Sequence, residues 1–146
     1  MLKGISPILS PVLLKVLCEM GHGDYLVLAD ANFPVESIGK DAVIVRADGI
    51  GIPDLLRAML PLFPLDTYVA EPVQLMQAVP GDPVETPIWD EYRAIVKEFD
   101  GRGADVIGET ERFAFYEKAR GAYAIIATGE RAVYGNIILQ KGVVTV

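Results

Sequence analysis

Tyr25-Leu26-Val27-Leu28-Ala29 is the stretch on which the fold turns. These five residues are all apolar, so a strand made from them has no face to give to water. It has to be covered on both sides, as in a sheet sandwiched between helices. The run stops at Asp30, before the turn-prone Asn32-Phe33-Pro34. Upstream, Ser10-Pro11 has the form of a helix cap followed by proline at the first helical position. Leu13, Leu14, Val16, Leu17 and Met20 then set an apolar face at helical spacing, and Gly21 supplies the stop.

Downstream the same alternation continues. Residues 42–45 predict a second buried strand, running into Arg46-Ala47-Asp48-Gly49. A helix from about Pro53 carries Leu55, Leu56 and Met59 on one side, and Pro61 ends it for want of an N–H. A further strand is expected over 73–79. Ile88, Trp89, Tyr92, Ile95, Val96 and Phe99 recur at helical spacing. Gly101-Arg102-Gly103 reads as a loop, and Thr110 as the cap of a short helix over 112–119. Strands over 123–127 and 136–139 flank the turn Thr128-Gly129-Glu130. Alternating helices and buried strands predict an α/β fold in three layers, with a largely parallel or mixed sheet between helices. Pro80-Gly81-Asp82-Pro83 is a loop and not a linker, because neither side looks independent, so residues 1–146 form one domain.

Composition narrows the function. The net charge of −7, from 20 acidic and 13 basic residues, disfavours nucleic acid and anionic membrane surfaces, which need a basic footprint. No apolar run approaches the ~18 residues of a membrane span. Met1-Leu2-Lys3-Gly4 lacks the layout of a signal peptide, so a cytoplasmic location is expected. One cysteine and one histidine leave no disulfide framework and no Cys/His zinc cluster. Cys18, among Val16, Leu17 and Met20, is expected to be a buried structural thiol.

Four segments carry groups suited to chemistry. In Met20-Gly21-His22-Gly23-Asp24 the lone histidine has glycine on both sides, and histidine is the residue type suited to giving and taking protons in a pocket. From this segment alone, a loop histidine bonded to backbone is the commoner outcome, and a proton-transfer group the alternative. Asp30 stands where ligands bind in open α/β sheets, beyond a strand's C-terminal end. It suits a sugar hydroxyl and an Asx turn equally well. Arg112 carries a fork of donors for a hydroxyl or a ring oxygen, or forms a surface salt bridge, while Phe113, Phe115 and Tyr116 read as core or interface. Tyr134 and Asn136, two apart on an incipient strand, share one face and make a polyol-binding pair or a merely polar turn. No dinucleotide fingerprint, phosphate loop, nucleophile elbow or metalloprotease motif is present.

Taken together, these segments resemble the RbsD/FucU family of sugar mutarotases, over essentially the whole chain. The resemblance rests on the segment ending Met20-Gly21-His22-Gly23-Asp24, on Val45-Arg46-Ala47-Asp48-Gly49 and on Leu65-Asp66-Thr67-Tyr68. Arg112-Phe113-Ala114-Phe115-Tyr116-Glu117 and Tyr134-Gly135-Asn136-Ile137-Ile138-Leu139 complete it. Gly23, Arg112 and Gly135 side with the fucose branch, since the ribose branch typically has threonine, histidine and alanine there. The segment from Pro80 to Gly108 carries no such motif. The resemblance implies an enzyme that interconverts the anomers of L-fucose, with His22 as proton donor. Asp30, Asp66, Arg112, Tyr134 and Asn136 would hold the sugar. It further implies a free monosaccharide as partner, no cofactor, no metal, and a homo-oligomer, often a decamer, with sites near subunit contacts. A D-ribose mutarotase and a non-catalytic sugar-binding subunit are the alternatives.

Overall fold

In the computed structural model, which describes residues 1–146, six strands alternate with five α-helices. The strands are β1 (Tyr25–Ala29), β2 (Val43–Ala47), β3 (Val73–Met76), β4 (Ile107–Thr110), β5 (Ala124–Thr128) and β6 (Ile137–Gln140). They form one sheet in the order β2-β5-β1-β6-β3-β4. Five strands run the same way, and β6 alone is antiparallel, to both its neighbours β1 and β3. Tyr25 is paired with Gln140 and Leu28 with Ile137. The head of β6 therefore lies beside the end of β1, and its tail beside the start.

Strand alternation sorts the core into two layers. Leu26 and Leu28 of β1 point to the face covered by α1 (Pro11–Glu19), α3 (Ile52–Met59) and α4 (Pro87–Phe99). Val27 and Ala29 point to the opposite face, where α2 (Val35–Ile38) and α5 (Arg112–Arg120) pack. This double covering is why β1 and β5 read as unbroken apolar runs, since neither has a solvent face. Leu13, Val16, Leu17 and Met20 form the buried stripe of α1, and Ser10 Oγ accepts the Leu13 N–H at 3.1 Å. At the other end, Lys141 Nζ donates to the carbonyls of Leu17 and Met20 at 2.7 and 2.6 Å, neutralising that terminus. No helix is long and apolar enough to cross a membrane.

Several details differ from the sequence expectations. Cys18 is exposed, because the stripe through Val16, Leu17 and Met20 turns the intervening position outward. Glu111, and not Thr110, caps α5, its two oxygens accepting the Phe113 and Ala114 N–H groups at 3.0 Å each. Thr110 Oγ1 instead donates to Gln74 Oε1 across the β3–β4 pair at 2.6 Å. β3 ends at Met76 instead of running on to residue 79. After the Gly101–Gly103 loop come a 3₁₀ turn at Gly103–Val106 and the edge strand β4, neither of them expected. The four-residue α2 is also new.

Candidate active site

Beyond the C-terminal end of β1, Asp30 and Asn136 grip each other. The Asp30 N–H donates to Asn136 Oδ1 at 2.7 Å, and Asn136 Nδ2 donates to Asp30 Oδ2 at 2.9 Å. Asp30 Oδ1 accepts the Asn32 N–H at 2.9 Å, so the Asx turn forms. Both side chains are buried. Burial pushes the Asp30 carboxyl above its ordinary value, opposed by the N–H groups of Asn32, Gly135 and Phe33 and by Asn136.

Tyr134, next to this pair, is the one non-glycine residue with positive φ, at 54°. That left-handed geometry costs of order 1–2 kcal/mol for a residue with a Cβ, and α4 holds it in place. Trp89 Nε1 donates to the Tyr134 carbonyl at 2.9 Å, and the buried Tyr92 hydroxyl donates to the Gly135 carbonyl at 2.7 Å. Burial keeps the Tyr92 phenol protonated well above its usual range, which suits a permanent donor. A Cβ on Gly135 would stand 2.9 Å from the Ala132 carbonyl oxygen and 3.1 Å from Glu130 Cγ, so glycine fits the turn best. The Tyr134 hydroxyl donates to Asp82 Oδ2 at 2.7 Å and accepts the Val79 N–H at 3.2 Å. Arg112, at the start of α5, forms no salt bridge. Its guanidinium lies 5.8 Å from the Phe113 ring centroid and 5.7 Å from that of Tyr116. Asp30, Arg112, Tyr134 and Asn136 all line one pocket of about 340 Å³, with Met76 and Phe33 on its apolar side. That volume falls within the usual small-molecule range of roughly 300–1,000 Å³.

His22 lies before β1, at the opposite end. Its Nε2 meets Asp66 Oδ1 at 3.1 Å. The same oxygen accepts the Tyr68 N–H at 2.9 Å, while Asp66 Oδ2 accepts Gln140 Nε2 at 3.2 Å. Arg102 Nη1 donates to the Asp66 carbonyl at 3.0 Å and fixes itself by a fork onto Asp100, at 3.0 and 2.8 Å. Burial alone would raise the Asp66 carboxyl. The Tyr68 N–H, His22 and the Arg102 charge outweigh it and hold the group below the usual carboxylate range. An ionised carboxylate only accepts, so this contact assigns a proton to Nε2 and leaves Nδ1 outside the pair.

Four of the six expected site residues thus share a pocket, and two do not. The five residues of β1 put His22 and Asp66 on the order of 17 Å from Asp30 at about 3.3 Å per residue. Asp66, expected to hold sugar, is 2% exposed with both oxygens engaged by the protein itself. Within this chain those partners are His22, Tyr68 and Gln140. The loop histidine bonds a carboxylate and not backbone. Gln140, Arg102 and Asp82 were not singled out from sequence. The only signals were a lone arginine between glycines and a polar residue at a strand's end. No three His, Cys, Asp or Glu side chains gather as metal ligands.

Comparison with known proteins finds relatives over the whole chain. The model of the RbsD / FucU transport protein family matches residues 3–144. A protein named L-fucose mutarotase from Actinobacillus pleuropneumoniae serotype 5b is 52% identical, covering 100% of this chain and 99% of its own. The solved structure of FucU from Bifidobacterium longum is 64% identical, with a TM-score of 0.96 over 98% of this chain and 100% of its own. That of the fucose mutarotase in complex with L-fucose from Streptococcus pneumoniae is 48% identical, with a TM-score of 0.92 over 99% and 100%.

Proposed function

The chain belongs to the RbsD/FucU family, and from that membership and its site we infer that it interconverts the α and β anomers of free L-fucose. It is an isomerase acting on a carbohydrate. The observation that carries this inference is the division of labour along β1. One end offers a pocket of hydroxyl-binding groups, and the other a histidine seated on an ionised carboxylate.

Mutarotation needs only proton transfers. The anomeric hydroxyl loses its proton, the ring oxygen gains one, and the bond between anomeric carbon and ring oxygen breaks. The open aldehyde rotates about its terminal bond and recloses. His22 Nδ1 takes and returns the proton, with Asp66 stabilising the imidazolium through Nε2–H. Positioned acid–base catalysis supplies typically 10²–10⁴-fold, enough for a reaction that already runs in water. Asp30, Arg112, Tyr134 and Asn136 hold the remaining hydroxyls and fix the ring. Neither an oxidant nor a covalent intermediate enters this scheme.

One chain's His22 does not reach its own pocket, so the proposal includes a homo-oligomer in which His22 of a second copy completes each site. The exposed Phe113 and Val133 flanking the pocket, and Tyr68 beside His22, support a contact between these unlike ends. Such a contact is heterologous and closes into a ring. A cytoplasmic setting, where the sugar is free, is part of the same proposal.

Saturation-transfer NMR tests the activity. L-Fucose anomers should exchange faster with the protein present, D-ribose anomers should exchange more slowly than those of L-fucose, and Arg112→His should narrow the gap by weakening fucose. Faster ribose exchange in the unmodified protein would move it to the ribose branch, and binding without exchange of either sugar would make it a binding subunit. Sedimentation at micromolar concentration should show a closed oligomer, and a fully active monomer would exclude a shared site.

A further inference from the structure

Tyr68 is left over once these roles are assigned. It closes the Leu65-Asp66-Thr67-Tyr68 segment, and its side chain stands in solvent, 77% exposed, more than any other aromatic residue of the chain. Its backbone is nonetheless fixed. The Tyr68 N–H is bound to Asp66 Oδ1, the same oxygen that receives His22 Nε2. Phenol ring and imidazole therefore hang from one carboxylate oxygen, with ring centroids 5.2 Å apart and planes at 49°. No hydrogen bond within the chain engages the Tyr68 hydroxyl. A large, rigid, amphipathic ring is thus held uncovered beside the nitrogen that moves the proton.

Resting on the functional reading above, we propose that the Tyr68 ring is a substrate contact, a platform against which the apolar face of the sugar lies while His22 exchanges its proton. A pyranose of the fucose type clusters C–H bonds on one face, next to its methyl group, a surface that hydrogen-bonding groups leave uncovered. An aromatic ring covers such a surface at low entropic cost, having only two side-chain torsions to fix, with its hydroxyl still in water. A sugar ring within hydrogen-bond reach of the imidazole is wide enough to overlap a ring 5.2 Å away. Because Tyr68 travels with Asp66 and His22, it reaches the substrate from the same copy that supplies the proton. Asp30, Arg112, Tyr134 and Asn136 come from the other copy.

The test uses the intact oligomer and three variants, followed by the concentration dependence of L-fucose anomer exchange. Tyr68→Ala keeps the N–H that holds Asp66. It should raise KM roughly ten-fold, the value of a stacked contact, with kcat and its pH profile within about two-fold. Tyr68→Phe and Tyr68→Trp should stay near the unmodified protein. The platform is excluded if Tyr68→Phe is as impaired as Tyr68→Ala, if kcat falls at unchanged KM, or if sedimentation shows that Tyr68→Ala acts by dissociating the oligomer. Failure of the unmodified protein to exchange fucose would sink the functional reading itself. Fucose exchange that is indifferent to all three variants would sink only the platform.

Discussion

At one end of β1, Asp30 and Asn136 are sealed from water and exchange hydrogen bonds with each other. At the other, His22 keeps 45% of its side chain in solvent and rests on a carboxylate that is 2% exposed. On the proposed reading, the difference follows from what each end does. Groups that orient a ligand work best when their own positions are over-determined, and the strained Tyr134 is held from α4 by Trp89. A group that carries protons has to reach the substrate, so only its support is buried. Rigidity sits one layer behind the His22 imidazole at one end and in the side chains of Asp30 and Asn136 themselves at the other.

The sharpest way to break this comparison is to damage the ends separately. His22→Ala should lose about 100-fold or more of the catalysed exchange, with little change in melting temperature because the side chain is half in water. Asn136→Ala should lose exchange as well, and with it roughly 1–3 kcal/mol of stability, since Asp30 is left with an unpaired oxygen and N–H. Oligomers assembled from both variants together should recover part of the activity, through sites that pair an intact pocket with an intact histidine. Mixed assemblies as inactive as their parents would show that the ends do not act across copies.

A smaller effect concerns acid. The folded pKa of Asp66 lies below its ordinary value. The stability it contributes is therefore fully present above the unfolded pKa and is lost as pH falls through the lower folded value, below about pH 4. Urea unfolding of Asp66→Asn should show a shallower loss in that window than the unmodified protein, alongside weakened exchange at neutral pH. Identical acid limbs would remove Asp66 from the buried support. Smallest of all, Gln140→Leu should reduce exchange by about three-fold, the scale of one net hydrogen bond, because His22 and Tyr68 still hold the other oxygen. A loss as large as that of Asp66→Asn would make Gln140 the principal anchor.

Much of this was legible beforehand, for local reasons. The cap at Ser10, the unbroken run of β1 and the helical spacing from Ile88 to Phe99 each declare themselves within a few residues. Asp30 and Asn136 stand at strand boundaries, where the residues alone left a sugar contact and a local turn both open and only the resemblance chose between them. What stayed hidden was set by distant partners. The partner of the second Asp66 oxygen, Gln140, lies 74 residues on. Arg102 lies in a glycine-flanked loop whose target carbonyl is 36 residues back. The four-residue α2 offers too little periodicity to announce itself, and β4 is a short edge strand interrupted by Gly108.

The reversed strand β6 has a further consequence. Asn136 immediately precedes it and Gln140 ends it, so the Asp30 end and the His22 end are joined by three intervening residues of one strand. Deleting or inserting one residue there would send every following side chain to the opposite face, uncoupling both ends at once while sparing each motif read singly. Spacing within this strand is thus a grammatical rule of the fold. A sequence that kept the asparagine and the glutamine but altered the interval between them would preserve the vocabulary of the site and lose its meaning.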